Sequence, residues 1–302
     1  MIDNLQLKFT NHTSVLSQIC LFFISLQAML KKNQIVVLLI AVGTLLFSCK
    51  GSYQRLLKSS NYELKYQRAI EYYEKKDYVR ALPLMEELVT VMRGTARAER
   101  IHYYFAQTNY ALEDYLLASY HFKDFARTYP QSQWVEEATY LSAYCFYLTS
   151  PPYSLDQSNT ISAIQEMQIF INLYPQSKHL PDCNSIIDKL RLKLENKAFD
   201  ISKLYYNTAN YQAAIVAFTN FLKDFPDSKY REEAGFLQIK SAHLLAINSV
   251  ESKMPERLKN TQDLCQKYID TFPKGKFHDA AVNILETSNK ISIKSKKQSS
   301  IN

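Results

Sequence analysis

Two sets of residues have types and spacing that could do chemistry. The first is a single thiol. Cys49 follows the small residue Ser48 at the end of an apolar run, Ile35 to Phe47, which is itself preceded by Lys31-Lys32. A basic patch, a short apolar run and a small residue before the cut are the features of a secretory signal. A cysteine just beyond such a cut offers its sulfur for covalent attachment of lipid. The second set is aromatic. Tyr66 and Tyr73, Tyr103 and Tyr110, and Phe199 and Tyr206 form three pairs, each seven residues apart and so on one helix face. With Gln107 they make a candidate groove for a peptide or partner, because ring faces supply contact area and phenols a hydrogen-bonding tip. The alternative is that the rings pack against a neighbouring element, and the sequence leaves the two open.

No catalytic signature accompanies them. The chain has no G-x-x-x-x-G-K-[ST], no G-x-S-x-G and no H-E-x-x-H. His102, His121, His179, His243 and His278 are scattered, and Glu86-Glu87, Glu136-Glu137 and Glu232-Glu233 read as solvated helix-surface pairs. Cys145, Cys183 and Cys265 lie on apolar faces without C-x-x-C pairing, so a buried role is expected rather than a disulfide or a metal site. The expectation is a protein that is not an enzyme and that carries neither metal nor cofactor.

The elements that must position these residues announce themselves as a repeat. Ala214, Phe218, Phe221 and Pro226 follow the spacing A-x3-F-x2-F-x4-P. Ala118, Phe122, Phe125 and Pro130 keep it, as do Ala163, Met167, Phe170 and Pro175 with one swap. Thr261, Cys265, Tyr268 and Pro273 keep it loosely, and Ala81, Met85 and Leu88 keep the front half. Offsets of four and three place the large groups beside the small one on a single helix face. Proline stops the helix, since it lacks an N–H and disfavours helical geometry in the residue before it. Counting back twelve from the small residue gives Ala69, Ala106 and Ser202, the helix-turn-helix spacing of tetratricopeptide (TPR) units. The predicted fold is all-α: a TPR-like α-solenoid, a right-handed superhelix of about five helix pairs. Glycine, at five residues in 302, is scarce enough to agree with helices.

The expected organisation is a signal-peptide region over 1–48, of which 1–28 read as an over-called start upstream of Met29. A lipidated cysteine and tether follow over 49–61. N-terminal TPR repeats cover 62–180, a long helix and C-terminal repeats 181–288, and a basic disordered tail 289–302. A proline-and-polar insertion over 149–160 and a polar stretch around Pro255 read as loops. Lys8, Lys31, Lys32 and Asp3 precede Cys49, which leaves 33 basic against 28 acidic residues, and Lys290, Lys294, Lys296 and Lys297 crowd the tail. The folded part is therefore near neutral, and no nucleic-acid surface is expected.

Leu46-Phe47-Ser48-Cys49 resembles a bacterial lipobox. Tyr129-Pro130-Gln-Ser132, Tyr174-Pro175-Gln-Ser177 and Phe225-Pro226-Asp-Ser228 repeat a phrase, Tyr/Phe-Pro-x-Ser. Lipid anchor, tether, repeats and phrase together resemble the BamD (YfiO) family of lipoproteins of the outer-membrane β-barrel assembly machinery. The resemblance implies a location on the periplasmic side of the outer membrane, held by lipid on Cys49. It implies C-terminal repeats that dock a BamA-like barrel subunit through its POTRA domains, and N-terminal repeats that meet unfolded outer-membrane proteins. The chain departs from the family in its 149–160 insertion, its weak fifth unit and its basic tail. Two other readings are a periplasmic TPR adaptor of cell division or envelope maintenance (Tol-associated) and a SusD-type nutrient-binding lipoprotein. Neither a heptad N-terminus nor a chain twice this length is present to favour them.

Overall fold

The computed structural model describes residues 50–299, with side chains described for 52–294. The signal region, the start at Met29 and the lipidation of Cys49 lie outside the described residues. All the elements described are α-helices: α1 Lys50–Leu57, α2 Tyr62–Glu74, α3 Tyr78–Val91, α4 Ala98–Ala111, α5 Tyr115–Thr128, α6 Val135–Leu148, α7 Ser158–Leu173, α8 Leu180–Asn207, α9 Tyr211–Asp224, α10 Arg231–Ile247, α11 Met254–Thr271 and α12 His278–Ser299. They follow one another as TPR-like pairs, α2/α3, α4/α5, α6/α7, α8/α9 and α10/α11, with α12 last. None is long and apolar enough to cross a membrane. The chain forms two compact units that divide at Ile101/His102, inside α4.

The repeat spacing does what elementary sterics require. In every unit the residues at its small and large positions are buried: Ala81, Met85 and Leu88; Ala118, Phe122 and Phe125; Ala163, Met167 and Phe170; Ala214, Phe218 and Phe221; Thr261, Cys265 and Tyr268. Tyr129, Tyr174, Phe225 and Phe272 end α5, α7, α9 and α11 at φ −125, −126, −128 and −126°, each immediately before a proline. A following proline disfavours the α region, and all four residues have left it. The turns inside three pairs share a second device. Lys76, Glu113 and Ala209 adopt positive φ of 59, 64 and 57°, and the next residue's N–H returns to the helix, Asp77 to Tyr72, Asp114 to Asn109 and Asn210 to Tyr205. That closes the helix C-terminus in a Schellman-type turn without glycine. Asp77 and Asp114 then cap the next helix by accepting from the Arg80 and Leu117 N–H groups.

In the first unit the stretch expected as a tether contains α1, and α1 is held. Lys65, 1% exposed, donates from Nζ to the Leu57 carbonyl at 2.9 Å and to Glu87 on α3. An ammonium at the end of α1 satisfies a carbonyl that the helix leaves unpaired and complements its dipole. Tyr53 adds a hydrogen bond from its hydroxyl to the Arg80 carbonyl (3.0 Å) and an edge-on contact with Tyr72.

The second unit has its core in series. One cluster runs from Tyr103 to Leu190, a second gathers Phe199, Ala214, Phe218, Phe221 and Ala234, and a third Ile239, Cys265, Tyr268 and Ala281. The 28-residue α8 serves two of them, Cys183 to Leu190 in the first and Phe199 in the second. Ile187, Leu190, Leu194 and Ile201 recur along one side of α8, but that side is buried only over its first half: Ile201 is exposed, while Phe199 and Ser202 turn inward. Two neighbours in succession ask for two stripes on one helix. The insertion is a loop over 149–157, and α7 begins at Ser158. Lys193 Nζ donates to Ser150 Oγ and the Pro151 carbonyl, and the Gln157 amide to the Pro152 and Leu155 carbonyls, so the loop is organised against α8. Pro255 is not in a loop but in the first turn of α11, where its missing N–H is not needed. The last helix runs on to Ser299, past the boundary expected at 288.

Candidate recognition surface

The expected groove residues separate into two kinds by what covers their rings. Phe199 stacks flat on Tyr230 (4.3 Å, 7°) and Tyr103 on Trp134 (5.1 Å, 10°), and both are buried, at 4% and 8% exposure. Tyr66, in the first unit, lies under the Arg97 guanidinium at 4.7 Å, which is also paired with Glu63. Tyr103 and Phe199 thus give a ring face to a joint between successive helix pairs, and Tyr66 gives one to a guanidinium. Gln107 is half-buried and donates its amide to the Tyr103 hydroxyl at 2.8 Å.

The joints recur in the second unit at positions the sequence reading did not connect. Tyr140 stacks on His179 (4.0 Å, 14°) and Phe236 on Phe277 (4.6 Å, 3°). Each outer ring, Trp134, His179, Tyr230 or Phe277, stands two residues after the serine of the Pro-x-Ser phrase or after Gly275 in its place. The serine explains this. Ser132, Ser177 and Ser228 Oγ accept the N–H of Trp134, His179 and Tyr230 at 3.0–3.1 Å, which aims the ring. Ser177 and Ser228 also donate to Glu136 and Glu195, both at 2.6 Å. At Gly275 a Cβ would meet Glu232 Oε1 at 2.5 Å, and the carboxylate takes the Phe277 N–H directly. The readable signal is Glu four residues before the inner ring, in Glu136/Tyr140, Glu195/Phe199 and Glu232/Phe236.

Tyr73, Tyr110 and Tyr206 behave differently. Each is half-buried and leans edge-on or tilted against a tyrosine across the turn: Tyr78 at 5.7 Å, Tyr115 at 5.7 Å and Tyr211 at 6.2 Å. The same register in α6, seven after Tyr140, is Tyr147, which the 149–157 insertion hides from repeat counting. Tyr140, Tyr144 and Tyr147 form a ladder with centroids 5.7 and 5.5 Å apart. Its pocket, about 260 Å³, is completed by Asp182, Ser185, Ile186 and Lys189. Burial raises the Tyr110 phenol above its ordinary value, and nearby Tyr144 adds to the shift, so Tyr110 remains a neutral donor. A row of phenols offers contact area and directed hydrogen bonds. Among the described residues no group of His, Cys, Asp and Glu is placed to hold a metal.

Comparison with known proteins agrees in kind. The model of a family described as YfiO, outer membrane lipoprotein, matches residues 59–258. The chain belongs to the YfiO family. It is similar to a protein of Aquifex aeolicus assigned as outer membrane protein assembly factor BamD, with 22% identity over 207 residues, 68% of this chain and 65% of the relative. It is also similar to the outer membrane protein assembly factor BamD of Rickettsia prowazekii, with 22% identity over 74% of this chain and 89% of the relative. The chain thus spans just under two thirds of the first relative's length. A solved Podospora anserina kinesin light chain structure with TPR-like repeats matches 68% of this chain and 94% of its own, at 10% identity and a TM-score of 0.29.

Proposed function

We propose that this YfiO-family protein is a non-catalytic scaffold of the outer-membrane β-barrel assembly machinery, anchored to the outer membrane by lipid on Cys49 and facing the periplasm. The family match across residues 59–258 carries the reading, and both relatives bear the name of an assembly factor. Under it, the C-terminal repeats dock the POTRA domains of a BamA-like barrel subunit, and the N-terminal repeats receive unfolded outer-membrane proteins. The tyrosines whose rings are not spent on joints, Tyr73, Tyr110, Tyr147 and Tyr206, are the contact residues for extended chain. Pull-down from detergent-solubilised envelope tests the reading. Recovery of a POTRA-bearing barrel protein is the expected result, and recovery of Tol or division proteins alone would overturn it.

A further inference from the structure

The second unit has another concavity, away from the tyrosines. It lies across α9, α10 and α11 and has a volume of about 320 Å³. Leu222, Leu264, Tyr268 and Phe272 give it an apolar wall. It exists because Gly235 lets α10 close on α11: a Cβ there would come within 3.1 Å of the Tyr268 ring. Lys223, Arg231 and Lys267 stand around it, and no carboxylate lines it. Glu233 pairs with Lys203, Asp263 with Lys259 and Asp270 with Gln266, while Glu232 accepts from the Tyr268 hydroxyl and the Phe277 N–H. The Arg231 guanidinium rests over the Phe272 ring, at 5.9 Å, and has no carboxylate partner among the described residues. Three cations gathered without a counter-charge repel one another, and an anionic ligand relieves that.

The buried Gln238 says what kind of anion. Thr219 donates its hydroxyl proton to the Ile215 carbonyl, so toward Gln238 it acts as acceptor, and the Gln238 amide N–H fills that place at 2.7 Å. The Gln238 carbonyl oxygen is then left over. No side-chain polar atom is sealed in without a partner among the described residues, so this oxygen is open to solvent, and Gln238 lines the cavity. It can accept a peptide backbone N–H, a donor that a phosphate dianion or a fatty-acid carboxylate lacks.

We infer that this groove takes an acidic segment of a partner protein, with an apolar side chain against Leu222, Leu264 and Phe272, a backbone N–H on Gln238 and carboxylates on Lys223, Arg231 and Lys267. The inference stands on the groove and does not depend on the assembly reading. The test is fluorescence anisotropy of the full chain in detergent with a labelled short peptide, one phenylalanine flanked by glutamates. Saturable, salt-sensitive binding is expected, weakened about tenfold or more by Lys223→Glu with Lys267→Glu. Lys253→Glu with Lys274→Glu, at exposed sites off the groove, leaves binding unchanged, and circular dichroism checks that all variants fold. Equal binding by the groove variant, equal binding of a peptide with serine for phenylalanine, or competition by phosphatidylglycerol vesicles in place of peptide binding would each overturn the proposal.

Discussion

Burial holds three thiols and one histidine of this chain in their neutral forms, and this sets what each can do. Burial pushes the Cys145 and Cys265 thiols to about 12 and, with help from Asp182, Cys183 to about 11. A thiol must ionise to react, so at about pH 8 a disulfide reagent should modify these three only as fast as the protein unfolds. A fast native phase assigned to any of them by mass spectrometry would contradict this. His243 is depressed by burial, and its Nδ1 lies 3.1 Å from the Ser288 hydroxyl. The folded state therefore binds the proton less well than the unfolded chain. Its contribution to stability is present above the ordinary histidine value of about 6.5 and is lost as pH falls through and below it. The urea midpoint should drop between about pH 7.5 and 5, and His243→Gln should flatten part of that drop. An unaltered slope in the variant would exclude the histidine as the cause.

Helices here are specified by their faces and their stops, and joined by partners distant in sequence. Phe218 is fully buried between α8 and its own helix, with Phe199 at 6.5 Å. Phe218→Ala should cost about 3–5 kcal/mol, from lost burial and the cavity left behind, read as a lowered denaturation midpoint. A loss under about 1 kcal/mol would mean that the ladder is not the spine. The docking of α1 rests on fewer contacts. Lys65→Ala removes the charged donor to the Leu57 carbonyl and should weaken that docking by roughly 1–3 kcal/mol. Faster hydrogen exchange confined to residues 50–57 is the expected signature, and unchanged protection there would show that Tyr53 suffices. Periodicity made the faces legible, but α1 was hidden in a stretch of eight residues with no repeat of its own, whose partners Lys65 and Arg80 belong to the helix pair that follows.

For the molecule as a whole, attachment and partner choice depend on features at opposite levels of legibility. The proposed anchor predicts that Cys49→Ala moves the protein from the membrane to the soluble fraction or leaves it uncleaved. Retained lipid labelling would refute it. The fold class and the stop at each repeat-end proline were readable, because each depends on short spacings along a single helix. The use of the aromatic side chains was not. Tyr103 and Tyr110 look alike in sequence, yet one is a joint and the other leans half-exposed across a turn. The difference lies in Trp134, delivered by a serine-held turn in the following pair. Such partners sit 33 and 41 residues apart for the two serine–glutamate bonds, and insertions vary that interval, so no fixed period reveals them. The apolar groove with its three cations arises the same way, from residues of three helices that meet only once glycine at 235 lets the backbones close.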